Sequence, residues 1–190
     1  MNIVLQKKDL IGHGNKRLCY QHPNDPYKCI KIERNENDRK TQINILEFRY
    51  FEFIQNQNIS LNHLPRMYGW CETNMGTGLV FDKICESDGA PSQSLHTFLE
   101  SNGIDKTHAH LLLDELQDYL FFNAILIHDG NLKNVLVNEL QSAKKLVFVD
   151  GVGPRRRKLK NFLYLRIRKL SRTKTLSKIR SMQKKIDSFQ

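Results

Sequence analysis

The chain has 190 residues and a hydrophobic fraction of 39 %, enough for one substantial domain with a packed core and too apolar for a disordered chain. Its net charge of +10 is unevenly spread: residues 151–190 hold 14 Lys and Arg against one acid, Asp187, whereas residues 1–150 hold 16 basic and 19 acidic side chains. No apolar run approaches the roughly 20 residues of a membrane-spanning helix, residues 1–8 lack the charge order of a secretory signal, and Cys19, Cys29, Cys71 and Cys85 lack the spacing of a zinc site. The expectation is a cytoplasmic protein with reduced thiols.

In chain order, Val4-Leu5 predicts a first short strand, Leu18-Cys19-Tyr20 a second and Cys29-Ile30-Lys31-Ile32 a third, with Asn24-Asp25-Pro26 as a turn. A polar stretch over residues 33–39 follows. Ile43, Leu46, Tyr50, Phe53 and Ile54 recur at three- and four-residue steps and predict a helix over about residues 40–55. Residues 67–71 and 78–84 read as two more strands around a turn-forming segment. This is an antiparallel sheet with one helix. A connector over residues 87–94 then leads to a short helix over 95–99 and a longer one over 107–122. Residues 135–137 and 146–149 predict two short strands around a polar turn that includes Ser142.

Three features carry chemistry. Gly12 and Gly14 lie between strands, where a missing Cβ lets backbone approach phosphates; an ordinary hairpin turn is the simpler reading of two glycines. Lys31 is centred on a strand and must point away from Ile30 and Ile32. As a phosphate-binding lysine it needs an acidic partner, and Glu47, beside the apolar stripe of the following helix, supplies one. Third, Asp129 is followed five residues later by Asn134, then by a strand, then by Asp150 at the end of the next strand. Asp129 can accept a proton from an attacking hydroxyl, and Asn134 and Asp150 are hard oxygen donors suited to Mg²⁺.

This order resembles the protein-kinase-like phosphotransferases. Gly12 and Gly14 resemble the loop glycines, Lys31 the strand lysine, Glu47 the helix glutamate, Asp129 the catalytic-loop aspartate, and Asn134 and Asp150 the two metal-binding residues. More closely, Gly12-His13-Gly14, Cys19-Tyr20, His22-Pro23, Lys28-Cys29-Ile30-Lys31-Ile32 and Glu72-Thr73 resemble the YrbL family of bacterial PhoP regulatory network proteins, over roughly residues 8–153. The resemblance implies an α+β, protein-kinase-like fold. Its N-lobe (about residues 1–85) would be an antiparallel sheet with one helix, and its mainly helical C-lobe (about residues 86–153) would be truncated. It implies ATP and Mg²⁺ as cofactors. Arg17 departs from it by standing where a third loop glycine is usual, and the chain after Asp150 is too short for a peptide-docking lobe.

Residues 154–190 form a basic extension. Leu159, Leu163, Ile167 and Leu170, and then Leu176, Ile179, Met182 and Ile186, predict two amphipathic helices broken near Ser171. Three uses are open: covering the C-lobe, contact with an anionic membrane surface at the inner face of the membrane, and, third, nucleic-acid binding. The function expected from sequence is Mg-ATP-dependent phosphotransfer to a small-molecule, lipid or protein acceptor. The alternative is a catalytically silent regulatory module of a bacterial envelope-stress network.

Overall fold

The structure, a computed structural model, describes residues 2–34, 42–140, 143–154 and 167–189. Strands β1 (Leu10–His13), β2 (Arg17–His22), β3 (Asp25–Glu33), β4 (Met67–Thr73) and β5 (Gly76–Asp82) form an antiparallel sheet in the order β1-β2-β3-β5-β4. Helix α1 (Ile43–Asn56) follows β3 and lies on one face of this sheet. The architecture is α+β. Alternation along the strands separates two layers of core. Ile30, Ile32, Tyr20 and Val80 pack with Leu5 on the outer face, while Cys29, Leu79 and Phe81 pack with Tyr50, Phe51 and Ile54 of α1 on the inner face. Gly78 belongs to this packing: a Cβ there would stand 2.4 Å from Ile30 Cγ2.

The helical half comprises α2 (Leu95–Glu100), α3 (Lys106–Phe122), the hairpin β6 (Val135–Leu140) with β7 (Ala143–Phe148), and α4 (Arg168–Ser188). Ser94 and Asp105 cap α2 and α3, their side chains accepting from the amides of Thr97 and His108. Leu112, Leu113, Leu116 and Leu120 give α3 its buried stripe. Helix α4 buries Ser171, Thr175, Ile179, Met182 and Ile186, and its apolar members join the same core as α1 and α3. The charged side chains Arg168, Lys169, Arg180 and Lys184 face outward. Among the described residues, no helix is long and apolar enough to cross a membrane.

Several expectations need correction. Val4-Leu5 is not a strand: Ile3 makes a single bridge to Thr73, Leu5 N donates to Asn74 Oδ1 (2.8 Å), and the first strand is Leu10–His13. Strand β5 ends at Asp82, short of Ile84. Phe53 and Leu111 sit at helical spacing with their apolar neighbours yet are 42 % and 57 % exposed, since neither half reaches that side of its helix. The break expected near Ser171 is absent. Ser171 is buried in the first turn of a continuous α4. The other expected tail helix, from Leu159 and Leu163, and the turn at Ser142 lie outside the described residues, as does most of the polar stretch after Glu33.

Candidate functional site

Lys31 leaves β3 on the face opposite Ile30 and Ile32 and enters the space between the two halves. Glu47, on the first half of α1 and 3 % exposed, faces it. Lys31 Nζ lies 3.0 Å from Glu47 Oε1, 2.9 Å from the carbonyl oxygen of Val149 and 4.1 Å from the centroid of the Phe81 ring. Two acceptors and a ring beneath it fix the direction of the ammonium.

Asp129 is placed by a short backbone ladder. His128 N donates to Gly151 O (2.9 Å), Gly153 N donates to Leu126 O (2.7 Å), and Ile127 pairs with Val152. The ladder sets Asp129 against Gly151, which has φ +90° and would put a Cβ 3.1 Å from Asp129 Cβ. Glycine is therefore required after Asp150 for both backbone angle and space. Asn134 ends a one-turn 3-10 segment, Leu132–Asn134. Its Nδ2 stands 3.4 Å from Asp129 Oδ2, and its carbonyl accepts from Val149 N (2.9 Å).

All seven residues singled out in the sequence meet at one cleft of about 770 Å³: Gly12, Gly14, Lys31, Glu47, Asp129, Asn134 and Asp150. That volume is within the range of small-molecule sites. The glycine segment is indeed a hairpin, with Gly12 in β1 and Gly14 N donating to Arg17 O (2.9 Å), and the same hairpin walls the cleft.

Arg17 is the residue that sequence reasoning left out of the site. Its guanidinium is buried and spans the cleft: Nη1 donates to Glu47 Oε2 and to Asn44 Oδ1 (3.1 Å), and Nη2 donates to Asp150 Oδ1. Asn44 is held in turn by its Nδ2 donating to Lys31 O (2.9 Å). A signal was present. Leu18 and Tyr20 belong to the outer face, so the alternation of β2 sends Arg17 and Cys19 to the face of Lys31. Burial alone would lower the Arg17 pKa, but Glu47 and Asp150 outweigh it and raise it. Burial also opposes ionisation of Asp150, yet the charges of Arg17 and Lys31 and the Gly151 amide hold its carboxyl below the usual carboxylate range.

The family model described as PhoP regulatory network protein YrbL matches residues 3–187. The chain belongs to the YrbL family. It is 32 % identical over 154 residues to YrbL of Escherichia coli (strain K12), covering 80 % of this chain and 73 % of that one, and equally to YrbL of Shigella flexneri. The YrbL match reaches beyond residue 153 and takes in most of α4, the helix that completes the core of the helical half.

Within this YrbL-family cleft, Asn134 and Asp150 have the donor chemistry that Mg²⁺ takes, but they do not form a self-sufficient cage. Asp150 Oδ1 already accepts from Arg17 and from Gly151 N (2.9 Å). Among the described residues, no group of three or more His, Cys, Asp and Glu side chains is arranged to hold a metal ion. The pair fits an ion that arrives with oxygens of a ligand and water. Two thiols complete the inner face of the sheet. Cys19 is shifted toward ionisation by its interaction with the neighbouring Cys29 thiol, against its burial and with help from the charges of Lys31 and Arg17. Cys29, whose thiol donates to Asp82 O (3.5 Å), is shifted the opposite way by its interaction with Cys19 and by burial.

Proposed function

We propose that the cleft binds a nucleotide by its phosphates and that the protein is a kinase-like, Mg-ATP-dependent phosphotransferase. The observation that carries this reading is the buried Lys31–Glu47 pair lining the same cleft as Asp129, Asn134 and Asp150. The five-stranded antiparallel sheet with one helix after its third strand, and the order of these residues along the chain, agree with the protein-kinase-like resemblance. Lys31, aimed by Glu47 and Val149 O, donates to phosphate oxygens. Asp129 takes the proton of the acceptor hydroxyl. Asn134 and Asp150 hold Mg²⁺, whose contribution when bound is to neutralise charge on the transferring phosphate. Catalysis of this kind is mainly positioning and charge stabilisation. The acceptor is a small molecule, a lipid headgroup or a protein. The outward cations of α4 offer contact with an anionic membrane surface, which would place the protein at the inner face of the membrane.

A thermal shift by Mg-ATP, lost in Lys31→Met and Asp150→Ala, tests binding; its absence in the parent protein would count against the nucleotide reading. ATP turnover by the parent and by Asp129→Asn tests catalysis, and equal rates would remove Asp129 from the mechanism. A second reading, a regulatory module without turnover, is favoured by the Arg17–Asp150 ion pair, which occupies a carboxylate that phosphotransfer needs, and by the regulatory-network description of the family. It predicts the thermal shift without ATP turnover.

A further inference from the structure

Arg17 joins the two halves through chemically unequal ends. Its Nη1 end is fixed to α1, where Glu47 is fully buried and Asn44 is itself held by the backbone of β3. Its Nη2 end crosses to Asp150, whose side chain is 51 % exposed and can be hydrated when released. The contact to break is therefore the one with Asp150.

Asp150 is also the carboxylate that the proposed reading gives to a divalent cation, on which reading the present inference rests. A cation on the carboxylate of Asp150 would stand close to the guanidinium, with like charges facing each other over one shared carboxylate. The carboxylate cannot serve both at full strength. We infer that Arg17 is a ligand-gating residue of the cleft, which competes with a divalent cation for Asp150 and, once displaced at its Nη2 end, presents that end to an anionic group of the ligand.

The ligand class follows. A cation alone must displace Arg17 and leaves Nη2 without its anion. A metal-free phosphate compound offers Nη2 an anion but leaves Asp150 without its cation. A cation–phosphate complex supplies both charges at once. Binding of cation and phosphate compound is therefore strongly coupled in the parent protein, and Arg17 is the residue that couples them. Lys31 does not share this role. Its acceptors are Glu47 and a backbone carbonyl, and it makes no direct hydrogen bond to Asp150.

The test uses Mn²⁺ alone on the full chain, with free Mn²⁺ followed by electron paramagnetic resonance. Arg17→Gln should bind Mn²⁺ about tenfold or more tightly than the parent, and Arg17→Gln with Asp150→Asn should return to the weak parental level. Arg17→Lys keeps a cation beside Glu47 but is too short to span both carboxylates. It covers the case in which the glutamine variant folds poorly, and should also bind more tightly than the parent. Mn²⁺ affinity no greater than parental in both single variants would overturn the proposal, as would tight binding that survives Asp150→Asn. No nucleotide is present, so failure here leaves the nucleotide reading standing. Failure of the Mg-ATP thermal shift would instead remove that reading while the competition at Asp150 remained measurable.

Discussion

Glu47 gives one oxygen to Lys31, at 3.0 Å, and the other to Arg17, so a single buried carboxylate balances two cations from neighbouring strands. Removing the shared anion is worse than removing either cation. Glu47→Gln leaves the buried ammonium of Lys31 without its carboxylate and Arg17 with Asp150 alone, and should cost about 3–5 kcal/mol, the usual penalty for breaking a buried pair from one side. Lys31→Met leaves Glu47 with Arg17 and should cost about 1–3 kcal/mol. Urea unfolding of the two variants decides this. Equal losses would mean that Glu47 does not hold both cations in solution.

The Arg17–Asp150 contact carries a pH signature. The Asp150 carboxyl is held below its ordinary value by Arg17 and Lys31 against the opposing effect of burial. A depressed folded-state pKa contributes stability that is fully present above the unfolded value, about 3.9, and is lost as the pH falls through the lower folded value. The parent should therefore be more stable than Asp150→Asn at neutral pH, and the gap should close below about pH 4. The gap will be modest and salt-sensitive, because the side chain is half exposed. Melting temperatures of both proteins between pH 7 and pH 3 test it, and a gap constant over that range would refute the ion pair.

The parts of this site that could be read from the chain are those with local periodicity. Lys31 between two isoleucines, and Glu47 beside Leu46 on an apolar helical stripe, state their facing in sequence, and the structure brings them together. Asp129, Asn134 and Asp150 are legible because of their order and spacing: Asn134 follows Asp129 by five residues and leads into a strand, and Asp150 ends the next apolar run, Val147-Phe148-Val149. Arg17 is harder, since a cation next to a turn is ordinarily solvated, and its burial depends on two carboxylates 30 and 133 residues away. The same limit explains α4. Its apolar spacing shows a helix, but Thr175 and Ser171 reach the interior because of what they face. Thr175 Oγ1 donates to Ile125 O (2.7 Å) and accepts from Ile127 N (3.2 Å). Nothing local to residues 168–188 contains that information.

Helix α4 braces the Asp129 loop, and that brace can be loosened without touching the cleft chemistry. Gly130 lies against it: an added Cβ would stand 2.7 Å from the carbonyl oxygen of Lys178, while Lys185 Nζ donates to Gly130 O (2.6 Å). Because the obstruction is helix backbone rather than a flexible side chain, Gly130→Ala must push the loop and α4 apart, at about 1–3 kcal/mol. Thr175→Val, which leaves Ile125 O and Ile127 N unpaired in the interior, should cost a similar 1–3 kcal/mol. In both variants, hydrogen exchange should accelerate at residues 126–130 and in α4 together. Acceleration confined to α4 would show that the helix does not support the loop.

The thiols report on the cleft directly. Cys19 is drawn toward ionisation by its interaction with the neighbouring Cys29 thiol and by the nearby charges of Lys31 and Arg17, whereas Cys29, Cys71 and Cys85 are all shifted toward the neutral thiol, chiefly by burial in the last two. The thiolate is the reactive form, so iodoacetamide should alkylate Cys19 first even though it lies on the cleft wall. Its rate should rise with pH around a midpoint below the ordinary thiol value of about 8.5. Removing a neighbouring positive charge weakens the effect, so Arg17→Gln should shift that midpoint upward. A nucleotide seated on Lys31 would cover the same wall, and Mg-ATP should slow alkylation of Cys19 while leaving Cys85 unchanged. Peptide mass mapping at low reagent ratio resolves the sites. If Cys71 or Cys85 is modified first, the assigned electrostatics of the sheet face are wrong. If Cys19 reacts first but Mg-ATP gives no protection, the electrostatics stand and the ligand does not occupy this part of the cleft.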